Sequence, residues 1–262
     1  MTEPTITFDV GTAYEQFMGV WSQLAGAAFL DWLAPAPQLA WLDIGCGNGA
    51  FSEMLVQRCA PAAVHGVDPS PQQIAFAQAR ASTRMATFQQ GDAMALPVAD
   101  ASCDIAVMAL VIFFVPEPAV GVAEMVRATR PGGSVAAYAW DFPGGGFPYE
   151  PMFAAMRAHG MEPMQPPRVD AASLDALHTL WTQAGLLEVE TREIVVERHF
   201  ADFEELWATI LLGPLIKPRL AMLPPETVES LREFVRRQVH TNEDGSIVCS
   251  GRANAVKGRV GR

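Results

Sequence analysis

The sequence is short of several things, and each shortage narrows what it can be. No apolar run approaches the ~20 residues needed to span a bilayer as a helix. The N-terminus carries Glu3 and lacks a charged-then-apolar leader pattern, so the expectation is a cytoplasmic protein. Only four cysteines occur, Cys46, Cys59, Cys103 and Cys249, with no Cys-x-x-Cys pair and no zinc-type Cys/His spacing. Reduced core thiols are the expectation, with no metal site. Charge is sparse, at 18% of residues, and basic residues are the scarcer kind: 18 Lys and Arg against 29 Asp and Glu, a net charge of −11. An acidic surface repels phosphate backbones and anionic lipid, so neither nucleic acid nor membrane is an expected partner. The Arg-bearing tail, Arg252 to Arg262, reads as a solvated terminus. Oligomeric state leaves no trace in the sequence.

Apolar residues, by contrast, make up half of the 262. That suffices for one α/β domain with an insertion. Phe17, Trp21, Leu24 and Ala28 recur at helical spacing and predict a helix over residues 10–34. Pro35-Ala36-Pro37 ends it. From there strands and helices alternate. Strands are predicted at 39–44, 63–67, 86–90, 103–110 and 134–140, and helices at 50–59, 71–82 and 117–129. Alternation of this kind implies a doubly wound parallel sheet. The second half predicts a helix over 174–184, a strand over 187–196, helices over 203–212 and 225–239, and a last strand over 246–256. The expected division is an N-terminal helical cap (1–37), a Rossmann-like core (38–199), a helical insertion (200–244) over the rim of the sheet, and a last strand with tail (245–262), all one domain.

The segment richest in chemistry is Leu42-Asp43-Ile44-Gly45-Cys46-Gly47-Asn48-Gly49. Glycines between a strand and a helix permit positive φ and let backbone approach a ligand, and the helix start turns unpaired N–H groups toward it. Two cofactors suit such a turn. Gly45-x-Gly47-x-x-Ala50 satisfies the loose dinucleotide pattern, and Asp68 follows Gly45 by 23 residues. Yet Asp43 would repel a pyrophosphate, and it suits an ammonium. Asp68 ends the second strand, where a carboxylate can accept both ribose hydroxyls. Asp92 ends the third, where it can accept from an adenine amino group. Arg130-Pro131-Gly132-Gly133 forms an expected turn before the fifth strand. No Tyr-x-x-x-Lys pair of the kind a dinucleotide oxidoreductase would use is evident after the sheet half.

Taken in order, Asp43-Ile-Gly-Cys-Gly-Asn-Gly49, Val67-Asp68-Pro69-Ser70, Gly91-Asp92-Ala93, Asp104-Ile-Ala-Val-Met-Ala-Leu110 and Arg130-Pro-Gly-Gly133 resemble the motifs of the Rossmann-like S-adenosylmethionine-dependent methyltransferases. The branch that is most similar contains the ubiquinone/menaquinone biosynthesis methyltransferases. The resemblance covers residues 38–140. It implies an α/β fold with a seven-stranded, mostly parallel sheet whose last strand is antiparallel. It implies S-adenosyl-L-methionine as cofactor, held by Asp43, Gly45, Cys46, Gly47, Asp68, Pro69, Asp92, Ala93 and Leu110. The activity implied is in-line methyl transfer to a small-molecule acceptor. An NAD(P)-dependent oxidoreductase and a non-catalytic S-adenosylmethionine-binding protein are the alternatives.

This sequence departs from the pattern at Phe113-Phe114, where many relatives carry a polar residue or histidine, so no catalytic histidine stands there. Holding two substrates in line can supply roughly 7–11 kcal/mol of barrier reduction. A hydroxyl or amine acceptor would also need a base. Asp141, at the end of the fifth strand, is the expected candidate, the alternative being a loop cap. Tyr14, Trp21, Phe113, Trp140 and Tyr149 could line an acceptor pocket, since aromatic faces attract a sulfonium; at helical spacing Trp21 reads equally as core. Gly144-Gly145-Gly146 could hinge a lid. No Asn-Pro-Pro-aromatic motif occurs, which argues against methylation of exocyclic amines of DNA bases.

Overall fold

A computed structural model describes residues 15–80, 85–214 and 216–262. The chain opens with a π-helical turn at Glu15–Gly19 and helix α1 (Val20–Leu33). Strand β1 (Ala40–Ile44) leads through the glycine loop to α2 (Ala50–Cys59), then β2 (Ala63–Asp68) and α3 (Pro71–Ala79). Ser70 caps α3 by accepting from Gln73 N, with Pro71 in the first turn, where its missing N–H costs nothing. β3 (Ala86–Gln90) and β4 (Cys103–Ala109) follow, then α4 (Pro118–Ala128) and β5 (Thr129–Trp140). β4 is apolar after Asp104 and almost wholly buried, as a strand covered on both faces must be.

The remaining elements are α5 (Glu150–Ala158), α6 (Leu174–Gln183), β6 (Leu187–Phe200), α7 (Phe203–Ile210), α8 (Ile216–Leu220), α9 (Pro225–Gln238), β7 (His240–Thr241) and β8 (Ile247–Arg259). The sheet runs β3-β2-β1-β4-β5-β8-β6, with β7 paired to β8 beside that path. The pairs from β3 to β5 are parallel, and β8 is antiparallel to β5. The expected mostly parallel sheet with an antiparallel last strand is therefore present, with the two-residue β7 added. Chain order reverses between β1 and β4, and in doubly wound sheets ligands bind at the carboxyl ends of strands flanking such a switch point.

Two local expectations change. Arg130-Pro131-Gly132-Gly133 is not a bare turn: β5 begins at Thr129, and its register with β4 shifts between Cys103 and Ile105. Gly132 takes φ +79°, and a Cβ on Gly133 would lie 2.6 Å from Asp104 O, so the backbones approach too closely for any other residue. In addition, α5 forms at Glu150–Ala158, a stretch to which the sequence pattern assigns no element.

The chain divides into two compact units. One collects the described residues up to Leu24 with Gly146–Gln165 and Val195–Gly251. Its core includes Phe17, Trp21, Tyr149, Leu206 and Leu231, all buried. The other holds Ala25–Gly145, Pro166–Ile194 and Arg252–Arg262, and with them β1 to β5. There Trp181 donates to Val135 O at 2.9 Å, and Phe29 packs on Tyr138 with ring centroids 4.6 Å apart.

Candidate cofactor site

The carboxyl ends of β1, β2 and β4 bring most of the motif residues together. Gly45 N and Cys46 N both donate to Val67 O, at 2.7 and 3.1 Å, so the loop leaving β1 folds over the end of β2. Gly45, Gly47 and Gly49 take φ of +71°, +53° and +80°, conformations in which a side chain is strained. Their surroundings differ. A Cβ on Gly45 would lie 2.5 Å from Val111, whereas one on Gly47 would meet nothing within 4 Å. Gly45 is needed by the fold, and Gly47 opens on free space.

Asp68 holds the loop. Its Oδ2 accepts from Gly47 N at 2.9 Å and its Oδ1 from Ser70 N at 2.9 Å. A carboxylate oxygen has two lone pairs, so each retains acceptor capacity. Burial pushes the Asp68 carboxyl above its usual range, and the two N–H donors oppose that. Arg80 braces the loop as well, donating to Asn48 O at 2.6 Å and pairing with Glu53.

Asp43 is wholly buried in β1. Ser52 Oγ donates to its Oδ2 at 2.6 Å, while Oδ1 has no partner. Desolvation is the chief reason its carboxyl rises from 3.8 to about 7; the Ser52 hydroxyl and backbone N–H lower it, and the nearby Asp68 charge adds to the rise. A buried carboxylate with a spare oxygen is an arrangement that a cation would complete. It would be a poor neighbour for a pyrophosphate. Cys46, at 6% exposure, is no nucleophile, because burial and then the Asp43 and Asp68 charges push its thiol far upward.

The other motif residues complete this edge of the sheet. Pro69 is exposed beyond β2. Asp92 is exposed beyond β3, with Oδ1 accepting from Met94 N at 2.8 Å, and Ala93 follows half-buried. Leu110, after β4, takes φ +62°, rare for leucine, and donates its N–H to Tyr138 O at 2.8 Å. A strained residue of this kind marks a place where something outweighs local comfort. Phe113 is buried in the following 3-10 turn (Ile112–Phe114).

Asp141 directly follows β5, buried to 6% exposure. Its Oδ2 accepts from Arg252 Nε and Nη2, at 2.9 and 2.7 Å, and its Oδ1 accepts from Gly144 N at 3.0 Å. Oδ2 is thus held by the guanidinium and Oδ1 by a single N–H, so a role as general base would draw on the second lone pair of Oδ1 or require this arrangement to open. Trp140, just before it, is buried in the same unit. Trp21 and Tyr149 lie in the other unit, where Trp21 Nε1 donates to Tyr149 Oη at 3.2 Å, and Tyr149 Oη donates to Phe17 O at 2.7 Å. Tyr14 lies outside the described residues. His65 is half-buried in β2, 2.7 Å from Thr87 Oγ1.

Sequence reasoning did not reach Ser52, Val111, Arg80 or Arg252. Ser52 carries a faint signal, a small polar residue in an otherwise apolar helix face. The others are defined by distant partners.

Comparison with known proteins places the sheet among methyltransferase folds. Residues 42–137 match a family model described as a methyltransferase domain. An uncharacterized methyltransferase of Mycobacterium avium is 39% identical over 107 residues, 40% of this chain and 42% of its own length. A demethylmenaquinone methyltransferase of Deinococcus radiodurans is 34% identical over 109 residues, 41% of this chain and 45% of its own. The matches thus span about four tenths of these relatives. In structure, the chain is similar to a Haemonchus contortus phosphoethanolamine N-methyltransferase 2 solved with phosphomonomethylethanolamine and S-adenosylhomocysteine. That match has a TM-score of 0.58 and 18% identity, covering 95% of this chain and 56% of the other. The class is therefore defined: the fold is the Rossmann-like methyltransferase fold. Residues 42–137 are similar to a methyltransferase domain, a stretch over which the demethylmenaquinone enzyme is also similar.

Proposed function

We propose that this chain is an S-adenosylmethionine-dependent methyltransferase acting on a small-molecule acceptor. One observation carries the reading: at the switch point of the sheet, a wholly buried carboxylate, Asp43, keeps one oxygen unpartnered beside a glycine loop that leaves open space at Gly47. Bound there, S-adenosylmethionine would supply an electrophilic methyl on a sulfonium. The chain's own share is binding and exclusion of water. Asp43 would take the ammonium, Asp68 the ribose hydroxyls and Asp92 the adenine amino group. Gly45, Cys46, Gly47, Pro69, Ala93 and Leu110 would shape the walls. With Asp141 tied to Arg252, catalysis rests on holding the acceptor in line and needs no free protein base for an acidic acceptor. A net charge of −11 favours neutral or cationic acceptors. Buried free thiols suit a reducing compartment such as the cytoplasm.

Titration calorimetry with S-adenosylhomocysteine and, separately, NADH tests this. Binding of the first alone is expected; binding of NADH alone would sink the proposal. A companion variant, Asp68→Asn, keeps one oxygen for the loop and loses an anionic acceptor. Its affinity for S-adenosylhomocysteine should fall about tenfold, since a charge-assisted bond is worth roughly 1.5–3 kcal/mol. Its circular dichroism should match wild type. Unchanged affinity would mean that the ribose is held elsewhere.

A further inference from the structure

The loop after β5 is fastened by one arginine from the far end of the sequence. Arg252, on β8, gives Nε and Nη2 to Asp141 Oδ2, and Nη2 also donates to Gly144 O at 2.8 Å. Asp141 N in turn donates to Arg252 O at 3.0 Å, and Gly144 N donates to Asp141 Oδ1. Glu193 Oε1 stands 3.7 Å from Arg252 Nε as a second carboxylate. Gly145 N closes the turn by donating to Phe142 O at 3.1 Å. A Cβ at 144 would fall within 2.5 Å of both Asp141 and Arg252 side-chain atoms, so a larger residue there would push the pair apart. The guanidinium fork thus reads a carboxylate and a carbonyl of one loop, a geometry that lysine cannot reproduce.

What the loop carries gives the tie its meaning. Phe142 meets Phe113 edge-to-face, with ring centroids 5.5 Å apart. Phe113 sits in the turn after β4, two residues past Val111, the side chain that closes over Gly45. β5 is parallel to β4 and β4 to β1, so this loop leaves the sheet at the same edge as the glycine loop. Arg252 lies beyond the stretch matched by the family model, residues 42–137.

We infer that Arg252 is a positioning residue, and that its pair with Asp141 latches the Asp141–Gly145 loop, with Phe142, as the wall beside the donor site that slows release of the cofactor. The inference rests on the proposed cofactor reading and adds to it a residue that controls residence time.

The test uses the full chain and S-adenosylhomocysteine as probe. In Arg252→Gln, amide exchange at Gly144 and Gly145 should accelerate about tenfold in the ligand-free protein, because hydrogen bonds that hold the turn are lost. In stopped-flow measurements the probe should dissociate about tenfold faster, with its association rate unchanged. Arg252→Lys, keeping one charge contact and losing the fork, should fall between. Asp141→Asn, which weakens the same pair from the other side, should reproduce the effect and replaces Arg252→Gln if that variant does not fold. Equal dissociation rates in wild type and variants would overturn the latch and leave the cofactor reading standing. Wild-type protein that does not bind the probe would overturn both.

Discussion

Asp43→Asn is expected to weaken S-adenosylhomocysteine binding by about a hundredfold at pH 8 with the fold retained. Asparagine fills the same volume and can still accept from Ser52 through its oxygen. Its amide nitrogen then occupies the position of the unpartnered Oδ1 and offers donors where the ligand's ammonium also brings donors. Removing one partner of a desolvated charge pair typically costs about 2–5 kcal/mol, which sets the scale. The same residue makes a prediction about pH. Its folded carboxyl, at about 7, lies above the unfolded value of 3.8. Folding therefore favours the protonated form. The stability this group contributes is complete below about pH 4, is lost as pH climbs toward 7, and stays lost above. Measured as the difference in unfolding free energy between wild type and Asp43→Asn, wild type should lose ground across that window by a few kcal/mol. Affinity should move the other way: binding an ammonium requires the ionised carboxylate, so wild-type affinity should rise between pH 6 and 7 and level off above. Calorimetry at pH 6 in buffers of different ionisation enthalpy should then register proton release. No proton release at pH 6, together with a pH-independent affinity, would show that Asp43 does not face the ammonium.

The second large effect separates two glycines of one motif. Gly45→Ala should lower the thermal midpoint by roughly 10 °C, while Gly47→Ala should lower it by only a few degrees and yet abolish cofactor binding. Both residues are left-handed, at φ +71° and +53°, and alanine in that region costs about 1–2 kcal/mol. Only at 45 does a Cβ also strike a neighbour, 2.5 and 2.6 Å from the two methyls of Val111. A β-branched side chain cannot swing both methyls clear, so overpacking adds roughly 1–3 kcal/mol. At about 2–4 °C per kcal/mol for a chain of this size, the sum gives the stated shift. Gly45→Ala with Val111→Ala should recover the steric part and keep the conformational part. At 47 the open space is where a ligand would lie, so the methyl is harmless until the cofactor arrives. If Gly47→Ala binds S-adenosylhomocysteine with wild-type affinity, the cofactor does not approach that backbone.

These two residues also show why parts of the site were legible before the structure and parts were not. The glycine loop, Asp43 and Asp68 announce themselves because backbone conformation and strand-end position are written locally, in residue type and spacing. The parallel strands of the first half were readable for the same reason: β4 is continuously apolar, and proline or glycine marks most of the breaks. The spacing could not distinguish Gly45 from Gly47, since that difference comes from Val111, supplied by another strand end. It could not show that Ser52 takes one oxygen of Asp43 and leaves the other. Nor could it reveal that Arg130-Pro131-Gly132-Gly133 joins a strand, because that depends on how closely β4 approaches.

Asp141 marks the limit most clearly. By sequence alone it is a carboxylate at the end of a strand, equally apt as base or as cap. Its partner Arg252 stands 111 residues away, in a tail that reads as a solvated terminus. Sequence determined the glycine loop, the succession of acidic strand ends and the α/β class, because those follow from local conformational preference and hydrophobic pattern. Tertiary structure alone decided which of those carboxylates is left with a free oxygen and which is consumed by an arginine. Electrostatic partnership depends on distance in space, and here the fold joins residues that the chain keeps far apart.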